Sequence, residues 1–284
     1  MLRYIKHYNL IVIIVASVLC MGNAQKINTQ QKLSEATDLL KKREYIKSIE
    51  VCDSIIRENP DYVDSYLVKG YALSAINKNK EAIDAYDMAI KYKPNFAEAY
   101  NEKATILGEL GEHKEAINAC DMAIKYKPDL IYAYINKGLL LANINKNKEA
   151  IDVYDMAIRY KQESYLAHYS KGNALSRIKN YQEAIKSYDM ALKYNPQYED
   201  AKYNKAVALS HIGKHKEAGE LYMELWDDES LDEYKKALER AEHIDLNGQH
   251  VVIIPKKESK QTKSRSIGNK KTTKEKGSKH NTSP

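Results

Sequence analysis

The stretch Asn77-Lys-Asn-Lys-Glu-Ala-Ile-Asp-Ala-Tyr-Asp-Met-Ala-Ile-Lys-Tyr-Lys-Pro94 decides the fold, because it returns at positions 145–162 with only three changes. Looser copies end at Pro128 and Pro196, so four units run end to end from Val63 to Tyr198. Their fixed period of about 34 residues means a repeat architecture, and helix–turn–helix arrays have it. We number each unit from the residue equivalent to Val63. Position 8 then holds Gly70, Ala104, Gly138, Gly172 and Ala206, and position 20 holds Ala82, Ala116, Ala150, Ala184 and Ala218. Two small residues at one place predict a close crossing of two helices. Position 24 holds Tyr86, Cys120, Tyr154, Tyr188 and Tyr222, which fill the space beside that crossing. Between the helices, Asn77, Gly111, Asn145 and Gly213 tolerate the left-handed conformation of a helix end, and Lys179 stands there as a slightly strained exception. Pro60, Pro94, Pro128 and Pro196 stop the second helix, with Gln162 replacing proline once. Asp61, Asn95 or Asp129 follows as a turn or cap residue.

This pattern resembles the tetratricopeptide repeat (TPR) family over residues 29–232, about six units: 29–62, 63–96, 97–130, 131–164, 165–198 and 199–232. The resemblance implies an all-α fold, a right-handed α-solenoid of helix-turn-helix repeats with a C-terminal capping helix. The family's bulky aromatic near the start of the first helix is Tyr66, Tyr100 and Tyr134, then His168 and Lys202. The first unit is degenerate: Ala36 and Pro60 fit, while Ser48 and Ile55 stand where alanine is usual. The sixth loses its ending at Trp226-Asp-Asp-Glu. Atypical terminal repeats are expected, since an end unit packs on one neighbour only. Residues 231–243 read as the capping helix, with Leu231, Tyr234, Leu238 and Ala241 in one apolar stripe.

The two ends are of different material. Met1 to Asn9 carries Arg3, Lys6 and no acid, and the run from Leu10 to Met21 is apolar except for Ser17. Gly22-Asn-Ala24 follows, with small residues where a signal peptidase reads. The apolar run is too short to span a bilayer, which takes ~20 residues. Residues 1–24 are therefore expected to be a cleaved secretory signal, ahead of an uncleaved anchor, and the protein periplasmic or secreted. Cys20 invites a lipoprotein reading, against which Leu19 is bulky where processing wants a small residue. At the other end, residues 256–284 hold nine Lys, one Arg and two Glu, a net +8, with Ile267 as the only large apolar residue. Such a segment buries too little to fold alone. Taking that +8 and the signal's +2 from the whole-chain +6 leaves −4 for residues 25–255, so the solenoid is mildly acidic.

Composition narrows the chemistry. One Phe against 23 Tyr makes tyrosine the aromatic filler. Cys52 and Cys120 share position 24 two units apart, too far for the ~7 Å limit of a disulfide, and read as buried small hydrophobes. No glycine-rich phosphate loop or zinc-protease helix is present. His211 and His215 have metal-like spacing, but Gly213 lies between them at the interhelical turn. Glu81, Glu115, Glu149 and Glu183 recur from unit to unit and so belong to the scaffold. We expect no catalytic residue, metal or cofactor.

Binding is the better expectation. The resemblance implies that positions 5 and 9 of the first helices face a concave groove. Position 5 holds Leu67, Asn101, Ile135, Tyr169 and Tyr203, and position 9 holds Tyr71, Thr105, Leu139, Asn173 and Val207. The surface is apolar and aromatic, and amides such as Asn101 and Asn173 can bond a peptide backbone in both directions. A protein or peptide of unknown identity is the expected partner. One branch of the family holds chaperone carboxylates with basic residues at such positions; none stands at position 5 or 9 of units two to six, so that clamp is absent. Lys69, Lys103, Lys137, Lys171 and Lys205 at position 7 either face an acidic partner or cover apolar surface with wet heads, the second being favoured. Met88, Met122, Met156 and Met190 form a ridge at position 26 that is either exposed or, as favoured, partly buried. The alternative function is an adaptor to an anionic surface (nucleic acid, lipid or glycan) through weak, non-specific tail contacts that salt would screen. Membrane contact otherwise enters only with an uncleaved signal.

Overall fold

The computed structural model describes residues 26–225. Among them are twelve α-helices in six pairs and no strand. Helix α1 covers residues 26–41 and α2 is Tyr45–Glu58. Then follow α3 Val63–Ala75, α4 Asn79–Tyr92, α5 Ala97–Glu109, α6 His113–Tyr126, α7 Ile131–Asn143 and α8 Asn147–Tyr160. The series ends with α9 Tyr165–Arg177, α10 Tyr181–Tyr194, α11 Glu199–His211 and α12 His215–Leu225. The expected signal, the capping helix at 231–243 and the basic tail lie outside the described residues.

Each turn type has one cause. Within a unit, the first helix ends in a paired C-terminal motif: the amide of Asn77 donates to Ser74 O at 2.9 Å and that of Lys78 to Leu73 O at 2.9 Å. Such a motif needs one left-handed residue, and φ is 61° at Asn77, 63° at Asn145, 82° at Gly111 and 79° at Gly213. Lys179 adopts it at 62°, as expected, and so does Arg43 at 63° in the first unit. Both carry a Cβ there without the compensating local bonds of asparagine. Between units, the amides of Tyr62, Phe96, Leu130, Ser164 and Tyr198 each close a four-residue turn onto the residue three before. Asp61, Asn95 and Asp129 lie inside these turns and do not cap the next helix. The cap positions are Tyr62, Phe96 and Leu130, which make no side-chain bond there. Among these turns Ser164 does cap, accepting from the Ala167 amide at 3.4 Å. The residues before Pro60, Pro94, Pro128 and Pro196 hold φ between −134° and −140°, out of the helical region, as proline's ring requires. Lys161 keeps that geometry (φ −141°, ψ 91°) although Gln162 follows it, so packing holds the turn even without proline.

The close crossing has a different anatomy from the expected one. A methyl group built on Gly172 would lie 2.5 Å from Cε1 of Tyr188, and Gly70 and Gly138 meet Tyr86 and Tyr154 in the same way. The glycine is thus the seat of the tyrosine ring at position 24, and the ring lies on it rather than beside the crossing. Where position 8 is alanine, in Ala36 and Ala104, position 24 shrinks to Cys52 and Cys120. Ala206 opposite Tyr222 is the exception, in the sixth unit, and both are fully buried. The alanines at position 20 are buried at the same level.

The position-7 lysines are 23–28% exposed, so their stems are covered as the favoured reading expects, but their heads are paired rather than free. Lys69, Lys103, Lys137, Lys171 and Lys205 reach Asp53, Asp87, Asp121, Asp155 and Asp189, each at 2.6 Å. Every pair joins a first helix to the second helix of the preceding unit, giving one rung at each of five joints. The ladder stops at its ends: the first unit has Glu35 at position 7, and the sixth has Met223 at position 25. The methionines at position 26 are partly buried, Met156 being the most open at 37%.

In units two to five, position 4 packs within its own unit. Tyr66, Tyr100 and Tyr134 pack on Tyr92, Tyr126 and Tyr160 with ring centroids 5.5–5.8 Å apart. The Tyr66 hydroxyl donates to Pro60 O at 2.9 Å. His168 takes over both duties, stacking on Tyr194 at 5.7 Å and meeting Gln162 O through Nε2 at 2.9 Å. Burial holds its pKa below the ordinary 6.5.

Candidate ligand groove

Among the first helices, α5 touches α7, α7 touches α9 and α9 touches α11, and the described second helices make no comparable contact with one another. The side on which successive helices touch is the tighter, inner side of the solenoid. The sequence-predicted residues lie on these helices in unequal states. Leu67, Tyr71, Thr105, Tyr169, Asn173, Tyr203 and Val207 are half-buried, and Leu139 is 44% exposed. Asn101 and Ile135 are only 5% and 6% exposed. Ile135 packs with Tyr134, Ala157 and Ala167 as part of the core. The expectation that Asn101 offers a free amide fails, because both ends of that amide are taken by neighbours.

Those neighbours come from position 6, which the family pattern does not point to. Asn136 donates to Asn101 Oδ1 at 3.0 Å and to Thr105 Oγ1 at 3.1 Å, one unit back. Asn204 repeats the move, donating to Asn173 Oδ1 at 2.8 Å and to the Tyr169 hydroxyl at 3.2 Å. The Tyr188 hydroxyl also donates to Asn173 Oδ1 at 2.8 Å. Two donors on one carbonyl fix the amide's orientation, so the NH2 of Asn173 is turned away from them. Burial pushes the Tyr188 hydroxyl up to about 12, so it stays a donor at neutral pH. Glu102, also at position 6, accepts from Asn101 Nδ2 at 3.0 Å and from the Tyr71 hydroxyl. Burial raises its pKa, and no cation pairs with it among the described residues.

Two further features complete the surface. A cleft of about 320 Å3 between the fifth and sixth units is lined by Asn173, Ser176, Arg177, Tyr188, Asn204 and Val207. Arg177, at position 13, gives one bond, Nη1 to Ala142 O at 2.8 Å, and forms no ion pair among the described residues. The fourth unit shows apolar surface, with Tyr132 61% and Leu139 44% exposed. Beside it Tyr198 meets the rings of Tyr165 and Tyr169 edge-on, at 5.1 and 4.8 Å. Elsewhere His211 lies flat on Tyr181 at 4.4 Å, and burial pushes the thiols of Cys52 and Cys120 up to about 12, which leaves them unreactive.

Comparison with known proteins fits this anatomy. Family models described as tetratricopeptide repeat match residues 67–131, 131–164 and 165–198. The chain is a tetratricopeptide repeat protein. TPR proteins are in general non-catalytic scaffolds for protein or peptide partners. Among solved structures the TPR solenoid is similar to PilF of Pseudomonas aeruginosa, with a TM-score of 0.65, 14% identity, 75% of this chain and 99% of that one covered. It is similar to PilW, a type IV pilus biogenesis factor, with a TM-score of 0.65, 17% identity and 72% and 97% covered. YrrB, a TPR protein with an unusual peptide-binding site, aligns with a TM-score of 0.53, 21% identity and 67% and 100% covered. At these identities the likeness is one of fold. No curated protein matches the chain.

Proposed function

We propose that this TPR protein is an exported, non-catalytic scaffold that holds an extended protein or peptide segment along the inner face of α3, α5, α7, α9 and α11. The observation that carries the binding reading is the exposed apolar pair Tyr132 and Leu139, set beside the hydrogen-bonded row of Asn101, Asn136, Asn173 and Asn204. An apolar centre with a few oriented polar groups is the usual make-up of a binding site. Export rests on the N-terminal sequence, and the expected mature start is residue 25.

The test is a pull-down from the source cell's envelope and medium. The chain from residue 25 to its end is compared with one ending at Pro255, each washed at low and high salt. A partner held by both through high salt, and lost with Tyr132→Ala/Leu139→Ala or Tyr169→Ala/Tyr203→Ala, is the expected result. A partner lost with the tail or with salt instead makes residues 256–284, with their net +8, the working part and the solenoid its passenger. Amino-terminal sequencing of the fractionated protein checks the export; a chain that starts at Met1 in the cytoplasmic fraction overturns it.

A further inference from the structure

Among the described residues the groove carries two charges without an ion-pair partner, Glu102 and Arg177, and they are of opposite sign. Glu102 on α5 is held in the floor by neutral donors, Asn101 and the Tyr71 hydroxyl. Its carboxylate keeps acceptor capacity, since four lone-pair sites meet only these two donors. Arg177 at the end of α9 uses one of five N–H groups on Ala142 O. Beside it the two donors on Asn173 Oδ1 leave that residue's NH2 on the other side of the amide. Asn173 and Arg177 line the same cleft, while the Ser176 hydroxyl is spent on Tyr188 at 3.2 Å. One side of the groove is thus an acceptor without a cation, and the other a set of donors without an anion. Neighbouring acid–base pairs on these helices are closed: Lys103 holds Asp87, Lys137 holds Asp121, Lys171 holds Asp155 and Lys127 holds Glu98.

Resting on the groove reading above, we infer that the ligand is an extended, dipolar peptide, with a basic side chain seated at Glu102 and a carboxylate seated at Arg177 and Asn173. The spacing follows from geometry. Helices α5 and α9 are two packing steps apart, ~9 Å each. Position 13 lies seven residues further along its helix than position 6, ~10 Å. The resulting ~20 Å separation spans about six residues of extended chain at ~3.3 Å each. The exposed apolar surface of Tyr132 and Leu139 belongs to α7, between the two charges, and asks for apolar or aromatic residues in the intervening stretch. The carboxylate can be an acidic side chain or the peptide's own terminus.

The experiment uses the full chain and synthetic twelve-residue peptides with an apolar middle. Their two charged residues, six apart, are Lys with Asp, Lys with Lys, or Asp with Asp, and each is made with a free and an amidated C-terminus. Affinity is read by fluorescence anisotropy. The Lys–Asp peptide is expected to bind about tenfold tighter than either like-charged one, and to lose that advantage when its charges are two residues apart. Arg177→Glu is expected to shift the preference to Lys–Lys and Glu102→Lys to Asp–Asp, while the double variant calls for a peptide with both charges in the reversed order. Glu102→Gln keeps an oxygen for the Asn101 amide and offers the Tyr71 hydroxyl an NH2 to accept from. It should erase the lysine preference with little change in melting temperature, which separates recognition from folding. Loss of binding on amidation alone assigns the carboxylate to a chain terminus, and persistence assigns it to a side chain. Equal binding of all charge patterns, unmoved by the swaps, overturns the dipolar ligand and leaves the groove standing. No binding by any peptide, with the natural partner still held in the pull-down, also overturns it; a partner indifferent to the groove variants removes the groove reading itself.

Discussion

Position 7 of the first helix is lysine in five units and meets an aspartate every time, whereas position 9 is Tyr71, Thr105, Leu139, Asn173 and Val207, never the same residue twice. The two positions sit on the same helices, about 200° apart around the axis. One side therefore repeats and the other varies. The repeating side is the joint between units, and any unit must fit any neighbour there. The varying side faces the groove, where position 6 of a unit meets positions 5 and 9 of the unit before through different side chains at different steps. A contact that recurs identically can hold a solenoid together but cannot distinguish one place along it from another. Recognition has to come from the side that varies.

The comparison can be broken first inside a unit. Tyr154→Cys should cost roughly 3 kcal/mol by leaving a cavity over Gly138, and Gly138→Ala about 1–3 kcal/mol by driving a methyl into the ring. The double variant recreates the alanine–cysteine match of the first and third units and should cost at least ~1 kcal/mol less than the sum. Simple additivity in chemical denaturation would mean that the ring and the glycine are not a matched pair. Next in size, Lys179→Gly should gain about 1 kcal/mol by relieving the left-handed Cβ, and Asn145→Gly much less. Equal gains at the two sites would show that lysine is not strained there. Breaking a rung is smaller still. Asp121→Asn removes the half-exposed carboxylate that pairs Lys137 and should cost about 0.5 kcal/mol, an effect that shrinks in high salt. Peptide affinity should not follow it; a large affinity loss would dissolve the distinction between joint and groove.

The smallest effect is a pH dependence. Burial lowers the pKa of His168, so the unfolded chain takes up the proton before the folded one does. The stability that the neutral ring provides is whole above the unfolded value of 6.5 and is lost as pH falls through the lower folded value. His168→Tyr restores the residue of the second to fourth units and removes that loss. Melting curves between pH 7.5 and 4.5 should show the parent falling relative to the variant below pH 6.5, with the two parallel above it. Parallel curves throughout would show that His168 titrates as it does in the unfolded chain.

The repeat, the helix pairs and the left-handed residues other than Arg43 are legible in the sequence, because each rests on residues close together along the chain. Arg43 is not, since nothing in an arginine announces positive φ; only the frame of the repeat could place it. The ladder hides for a different reason. Its partners lie on opposite sides of a unit boundary, and alignment within units sets lysine and aspartate in separate columns. Reading the lysine column against the aspartate column of the preceding unit would find it. The glycine–tyrosine seat is half legible: the columns stand out, but the seat shows only in their covariation with Ala36, Cys52, Ala104 and Cys120. In the groove, the family resemblance supplies positions 5 and 9. It does not show that Asn136 closes Asn101, or that Glu102 and Arg177 carry unspent charge, because those facts depend on which side chain the next unit brings.

The steric match of ring and seat is completed within one unit, and the ionic match of lysine and aspartate is the same at every joint. Whole units are therefore interchangeable parts. Slippage between the nearly identical stretches at 77–94 and 145–162 would remove or add two whole units without leaving an unmatched ring or an unpaired rung. Array length is the property that recombination can change most freely here. Losing the units between those stretches would delete Glu102 outright, so on the proposed ligand reading heritable changes in repeat number would alter recognition while leaving the fold intact.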